Sequence, residues 1–584
     1  PKAWKPCLRS MKQLGFTAVD VPVPWVLHEP SRGQHRWAHS LDLGAFIEAA
    51  SEQELRVILR PGPHLGRELP GIGFPEWISK DPAVQARTAQ DTPALWPFPP
   101  LMTALPSYAS AVFQEHTRAW FAAIAEHLGD VLRSDAIAGV VADHELGLFH
   151  RRGAFDLDYH PDALDWWRDD AGDLEAPRSF EPNHPERALR WIEFHDRYRE
   201  RAAAWLLEAL GEAGFAEPRW VSAPVAPGSH TGAIANAAPS AYGVPADLPA
   251  LRGRYALAAS RTSEPLMSIT AGGSPMQMLR SPESDRSQLA VAIAAGAKAV
   301  SVSMAVERDR WYGAWIDADG RITKHGAAMG DMLRALTASD WPNGSSEPAI
   351  ALVQSRADAR FALASSAMPE LPPLLASAIG TDALSLGADG AYSTRDRWYR
   401  VIERALRLAQ IPYHFAADDL EDPSRYRAIV VPTLDRIDVT LWERMHQWGA
   451  SGTPVIIGPK RPTRDGRDRP LNSTKLPKRC GLLQPESIED IPALADDLLG
   501  ACGDLEEDFI APEQEHIDCT TVRTESGKVL LVVANHDARD ARAELICSKP
   551  MRDPYSGDRL LANRSGVCTL SLKQRQVRLF VSEE

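Results

Sequence analysis

Three apolar runs punctuate the first quarter of the chain, and segments of helical periodicity separate them. FTAVDVPVPW (16–25) mixes β-branched residues with alternation and ends in prolines, which reads as a strand entering a loop. LRVILRP (55–61) is almost continuously apolar, the pattern of a strand covered on both faces of a parallel sheet. AIAGVVAD (136–143) repeats it. Between the first two, Leu43, Phe46, Ile47 and Ala50 share one face of a helix expected over 40–55, with Ser40 placed to cap it. Phe113, Trp120, Ile124 and Leu128 do the same for a helix over about 108–132. Strand, helix, strand in succession restricts the chain to a parallel α/β architecture, because parallel neighbours need a long crossover.

The alternation continues through a helix at 187–213 and strands at 219–225, 255–260, 265–272 and 297–306, with a helix at 285–295. From residue 16 that makes seven strand candidates, one short of a (β/α)8 TIM barrel. The expectation is a barrel over 1–335 whose first strand is missing, opened by a helix at 3–14. The Pro/Gly/Ser-rich WPNGSSEP (341–348) then marks a boundary. AIALVQS, YRAIVVPTL and GTPVIIGP, with helices at 397–409 and 440–449, predict a flavodoxin-like α/β domain over 345–505. The basic, Pro-rich stretch 460–480 reads as a solvated loop. KVLLVVAN, RAELIC and QVRLFV, with turns between them, predict a small C-terminal antiparallel β domain, sandwich-like, over 507–584.

Composition narrows the function classes. Of 584 residues, 64 are Lys or Arg and 78 are Asp or Glu, a formal charge of −14. That balance argues against a nucleic-acid footprint. No run of 18 apolar residues predicts a membrane span. The six cysteines show no CxxC or zinc spacing, so neither metal nor cofactor is expected, and reduced thiols in the cytoplasm are the expectation. The chain starts PKAWKP without Met; that start reads as trimmed, which leaves secretion open. Seventeen tryptophans offer faces suited to stacking on sugar rings, although most are expected in the core.

In a parallel barrel the chemistry gathers at the C-terminal ends of the strands. After the first run come Trp25, His28 and Glu29; after the second, His64, Arg67 and Glu68; after the third, Asp143, His144 and Glu145; after the last, Glu307, Arg308, Asp309, Arg310 and Trp311. Carboxylates and aromatics recurring at one end suit glycoside hydrolysis, which sets two carboxyl groups across a sugar. Each taken singly also fits a salt bridge or a loop cap.

MKQLGFTAVDVPVPWVLHEP followed by VILRPGPHLGRELPGIGFPEW resembles glycoside hydrolase family 35, the β-galactosidases, in order and spacing over residues 1 to about 330. The domains beyond are similar to those of family 42 β-galactosidases, where a glutamine-amidotransferase-like domain follows the barrel and contributes to oligomer contacts. The resemblance implies a β-galactoside partner, a homo-oligomer, and Glu68 as a galactose-binding residue. It implies Trp25, His64 and Trp311 beside the sugar and Glu145, in VADHELG, as general acid/base. His144 stands where the family has an asparagine. At the nucleophile position on the penultimate strand, in PLMSITAGG, stands Thr270. A threonine hydroxyl without an adjacent base does not replace a carboxylate. Glu307 is then an alternative nucleophile, or else a salt-bridge partner of Arg308 or Arg310. The expected activity is a β-galactosidase-like hydrolase; the alternative is a catalytically inactive carbohydrate-binding homologue.

Overall fold

The computed structural model describes residues 2–66, 69–98, 101–143, 146, 154–172, 174–223, 234–236, 266–273, 282–309, 311–365, 390–484, 490–503, 509–510, 516–547 and 549–583. They fall into two compact units. One contains Pro1–Asn236 with Ile316–Thr323; the other contains Ala237–Trp315, Lys324–Ala367 and Ser377–Glu584. The division at 236 falls inside the first expected domain.

In the first unit, strands β1 (Ala18–Pro22), β2 (Arg56–Gly62), β3 (Ile137–Ala142), β4 (Arg219–Ala223) and β5 (Ile234–Asn236) pair in chain order, all parallel. Helices Leu43–Ser51, Ala111–Leu128 and Pro185–Glu212 supply the crossovers. Asp42, rather than Ser40, caps the first of these, its Oδ1 accepting the Ala45 N–H at 2.9 Å. A 3-10 turn over His39–Leu41 moves the start past the serine. β5, the hairpin Leu95–Phe98/Leu101–Ala104 and the helix Pro161–Ala171 have no counterpart in the sequence reading. The strand expected at 255–260 lies outside the described residues. One core joins the strands to the helices, with Trp25, Trp120 and Trp191 at 0% exposure.

The second unit holds β6 (Leu266–Thr270) and β7 (Ala299–Ser303), also parallel, joined by the helix Pro282–Ala294. That helix is buried on every side from Asp285 to Ala294. LAVAIAA is apolar all round, as a helix covered on two faces must be. It packs on strands Ile517–Arg523, Val529–Asn535 and Val577–Ser582. Five parallel strands follow in spatial order Tyr413–Ala417, Ile350–Gln354, Ala428–Thr433, Val455–Pro459, Cys480–Leu482. That is the 2-1-3-4-5 order of flavodoxin-like sheets. The basic stretch after 459 is structured in part: Arg464–Asp465 pairs with Arg436–Ile437, and Cys480–Leu482 is the edge strand. The C-terminal segment forms antiparallel sheets of five and three strands. Leu531 and Val533 of one and Leu545 and Leu570 of the other share a single core, a sandwich arrangement. All six cysteines are free thiols.

Candidate functional site

The loop leaving β1 is built on its own polar side chains. Glu29 is 6% exposed; its Oε2 accepts the Trp25 indole N–H at 2.7 Å and its Oε1 accepts the Gly33 N–H at 2.6 Å. His28 faces the Arg36 carbonyl through Nδ1 at 3.0 Å, and burial pushes its pKa down to about 4, so the ring stays neutral near pH 7. Trp25 stacks on Trp120 with centroids 5.8 Å apart and meets the edge of Trp77. The Trp120 indole donates to the Pro61 carbonyl at 2.8 Å, tying the helix to the turn after β2.

That turn, Pro61-Gly62-Pro63-His64, runs directly against the end of β3. Arg60 reaches across to Asp20 of β1, with Nε 2.7 Å from Oδ1. The Leu65 N–H donates to the Ile72 carbonyl at 3.3 Å and closes the loop. Gly73 allows that approach: at φ +101°, a Cβ there would sit 3.1 Å from the Leu65 nitrogen. His64 is fully buried, its Nδ1 3.8 Å from Asp143 Oδ1. The Asp143 N–H donates to the Gly62 carbonyl at 2.8 Å, and the Tyr108 hydroxyl donates to Asp143 Oδ2. Asp143 holds a left-handed backbone, φ +58°, at the strand end. Burial raises its pKa above 3.8, against the opposing pull of His64 and Tyr108. Burial and the neighbouring Asp143 push the Tyr108 hydroxyl well above the usual phenol range. Chemically this is a buried acid held between an imidazole and a phenol, two residues before Glu145 in the chain. Glu68, His144 and Glu145 themselves lie outside the described residues.

In the second unit, Thr270 ends β6 at 8% exposure. Gln288 clamps its peptide: Oε1 accepts the Thr270 N–H at 3.1 Å, and Nε2 donates to the Thr270 carbonyl at 3.3 Å. The chain then turns through Ala271 and Gly272 and pairs with Tyr312. Gly273 and Tyr312 exchange both N–H···O bonds at 2.8 Å. The Trp311 indole donates to the Ala271 carbonyl at 2.9 Å. Glu307 Oε1 accepts the Gly313 N–H at 2.9 Å, closing the loop after β7. Gly272 sits at φ +69°, where a Cβ would come 2.4 Å from the Tyr312 carbonyl oxygen. Gly272→Ala is therefore expected to cost at least about 2 kcal/mol and to detach the 307–313 loop from β6. Thermal unfolding with Trp311 fluorescence checks it; an unshifted midpoint would contradict it.

The structure thus brings Thr270 and Trp311 to one place and puts His64 beside Asp143. Two expected sugar contacts need correction. Trp25 is 0% exposed, stacks on Trp120 and donates its N–H to Glu29, so it belongs to the core and offers no platform. His64 is fully enclosed and faces Asp143, so its ring is not open to a sugar. Glu307 holds its own loop through Gly313. Tyr108, Gln288 and Tyr312 had no sequence signal, since each acts through a partner distant in the chain.

The family model described as "Glycosyl hydrolases family 35" matches residues 1–97. Beta-galactosidase-1-like protein 2 of Homo sapiens is 44% identical over 85 residues, 15% of this chain and 13% of the relative. Beta-galactosidase of Mus musculus is 37% identical over 86 residues, 15% of this chain and 13% of that one. The matched segment is thus a small part of the curated relatives. Among solved structures, beta-galactosidase from Bacillus circulans sp. alkalophilus aligns with a TM-score of 0.73 at 13% identity, covering 99% of this chain and 96% of the other. Polyextremophilic beta-galactosidase from Halorubrum lacusprofundi aligns at 0.71 and 15% identity, over 99% and 96%. Gan42B, a GH42 beta-galactosidase, aligns at 0.70 and 13%, over 100% and 96%. Residues 1–97 are thus similar to glycosyl hydrolase family 35, and the chain shares its overall fold with β-galactosidases of solved structure.

Proposed function

We propose that the chain is a glycoside hydrolase acting on terminal β-galactosides. Its parallel strands would belong to a (β/α)8 barrel followed by the flavodoxin-like and C-terminal β domains. Glu145 serves as general acid/base, Glu68 accepts sugar hydroxyls, and His144 takes the place of the family's asparagine beside the sugar. The observation that carries the reading is the match of residues 1–97, the segment that forms the frames at the ends of β1 and β2. In that frame Asp143, held by the Gly62 carbonyl and Tyr108, stands two residues before Glu145 in the chain.

Thr270 favours a second reading, a carbohydrate-binding homologue without turnover. A retaining mechanism needs a second carboxylate about 5–5.5 Å from the first. Gln288 holds the β6 end at a neutral side chain, and Glu307 is engaged in its own loop. An aryl β-galactoside assay separates the two readings. Turnover abolished by Glu145→Gln supports the hydrolase. No turnover, with galactose still raising the unfolding temperature, supports the binder. Thr270→Glu is expected to raise kcat by at least about tenfold by restoring the missing acid. An unchanged rate would remove Thr270 from the nucleophile position.

A further inference from the structure

The helix Pro282–Ala294 packs against β6 and against strands Val529–Asn535 and Val577–Ser582 of the C-terminal sandwich. Its second half, Leu289 to Ala294, is apolar and wholly buried. Apolar burial is non-directional, so it sets the rotation and axial position of a helix less sharply than hydrogen bonds do. Gln288 needs both to be well set. Its amide serves the Thr270 N–H and the Thr270 carbonyl at once, at 3.1 and 3.3 Å, and such bonds weaken steeply off that geometry. The polar anchors of the helix are Asp285 and Arg286, 1% and 5% exposed. Asp285 Oδ2 accepts the Trp315 indole N–H at 3.0 Å and stands 3.0 Å from His325 Nε2. His325 Nδ1 is in turn 3.2 Å from the Tyr555 hydroxyl. The Arg286 guanidinium lies over the Tyr555 ring, 4.9 Å from its centroid. Among the described residues Arg286 forms no ion pair and its Nε has no hydrogen-bond partner, which leaves the tyrosine ring as its anchor. Tyr555 belongs to the sandwich and is firmly mounted there. Asp553 Oδ1 accepts its N–H at 2.9 Å, and Arg578 of strand Val577–Ser582 holds Asp553 Oδ2 at 2.8 and 2.6 Å. A tyrosine at such a seam is ordinarily a packing residue. This one differs because both of its polar contacts end on the helical turn that carries Gln288.

We propose that Tyr555 is a positioning residue for the end of β6: through it the C-terminal β domain fixes the turn Asp285–Gln288 and so holds the Gln288 amide on Thr270. The inference goes beyond the hydrolase reading and stands apart from it, since its test needs no substrate.

The test is residue-resolved amide hydrogen exchange on the full chain. The Thr270 N–H is bonded by Gln288, whereas the next one, of Ala271, donates to the Ser303 carbonyl of β7 at 3.1 Å. The two amides therefore separate loss of the clamp from loss of the sheet. Tyr555→Ala is expected to speed exchange at Thr270 about five- to tenfold and to leave Ala271 unchanged. Gln288→Ala sets the full effect at Thr270. The double variant should exchange no faster there than Gln288→Ala alone, because both substitutions act on one bond. Unchanged exchange at Thr270 in Tyr555→Ala overturns the proposal. So does an equal acceleration of Thr270 and Ala271, which is the mark of a merely structural role, and so do additive effects in the double variant. Circular dichroism and thermal melting identify a misfolded Tyr555→Ala. In that case Arg286→Met, which removes the ring contact from the helix side, must give the same selective acceleration or the proposal falls.

Discussion

Glu145→Gln is expected to lower kcat/KM on alkyl β-galactosides and disaccharides by about 10²–10⁴-fold, the usual share of a positioned proton donor. The glutamine keeps size and polarity but cannot protonate the glycosidic oxygen. The loss should therefore depend on the leaving group. Alkoxides of high basicity need the proton and suffer most, while nitrophenolates leave without it and suffer least. Rates across a series of leaving groups give the check, and a steeper dependence in Glu145→Gln than in wild type is the expected result. An equal loss for every leaving group would take Glu145 out of the proton-donor role. The residue follows VADH, and Asp143 in that run is anchored by the Gly62 carbonyl, Tyr108 and His64. The chain is therefore fixed at Asp143, two residues before Glu145.

That fixed point carries the second large effect. Asp143→Ala removes the acceptor of the Tyr108 hydroxyl and the acid beside His64, and it leaves alanine in a left-handed backbone. The combined cost is about 3–5 kcal/mol, from buried groups losing a partner and from the φ penalty. Asp143→Asn keeps the shape, tolerates the same φ and still accepts from Tyr108, so it should cost far less. The two also differ in their pH dependence. The folded pKa of Asp143 lies above its ordinary 3.8 because burial disfavours the charge. Its contribution to stability is then full below pH 3.8 and is lost as pH rises through the raised folded value. Asparagine does not titrate, so the stability of Asp143→Asn relative to wild type should improve as pH rises from 3.8 toward neutrality. Urea midpoints of both proteins at pH 4 and pH 7 measure this. A relative stability that worsens with rising pH would contradict the assigned direction. If the residue also positions Glu145, Asp143→Ala should alter the pH profile of kcat as well as the midpoint.

The strand runs were legible because burial on both faces of a parallel sheet demands continuous apolar residues, as in LRVILRP and AIAGVVAD. β5 was not, since Ile234–Asn236 is three residues long and GAIAN carries no period to read. Likewise ALWPFPPLMTAL, with three prolines, gave no hairpin signal, yet its flanks pair from Leu95 to Ala104. The site divides in the same way. Thr270 was expected from the motif around it to stand where the resemblance places an acid. That Trp25 is enclosed between Trp120 and Trp77 could not be read in this way, because its partners come from 95 and 52 residues further along the chain.

Local chemistry alone therefore determined the order of strands and helices, the polar loops at the strand ends and the motif in which Thr270 stands where the resemblance expects an acid. Each depends on neighbours within a few residues, which periodicity and motif spacing record. Only the tertiary structure decided that Asp143 is a buried acid whose pKa is raised by burial, that Gln288 clamps Thr270, and that Tyr312 stands fixed and exposed beside it. Burial and long-range hydrogen bonds arise from residues 18 to 79 positions apart in these cases, and no local pattern encodes which of them will meet.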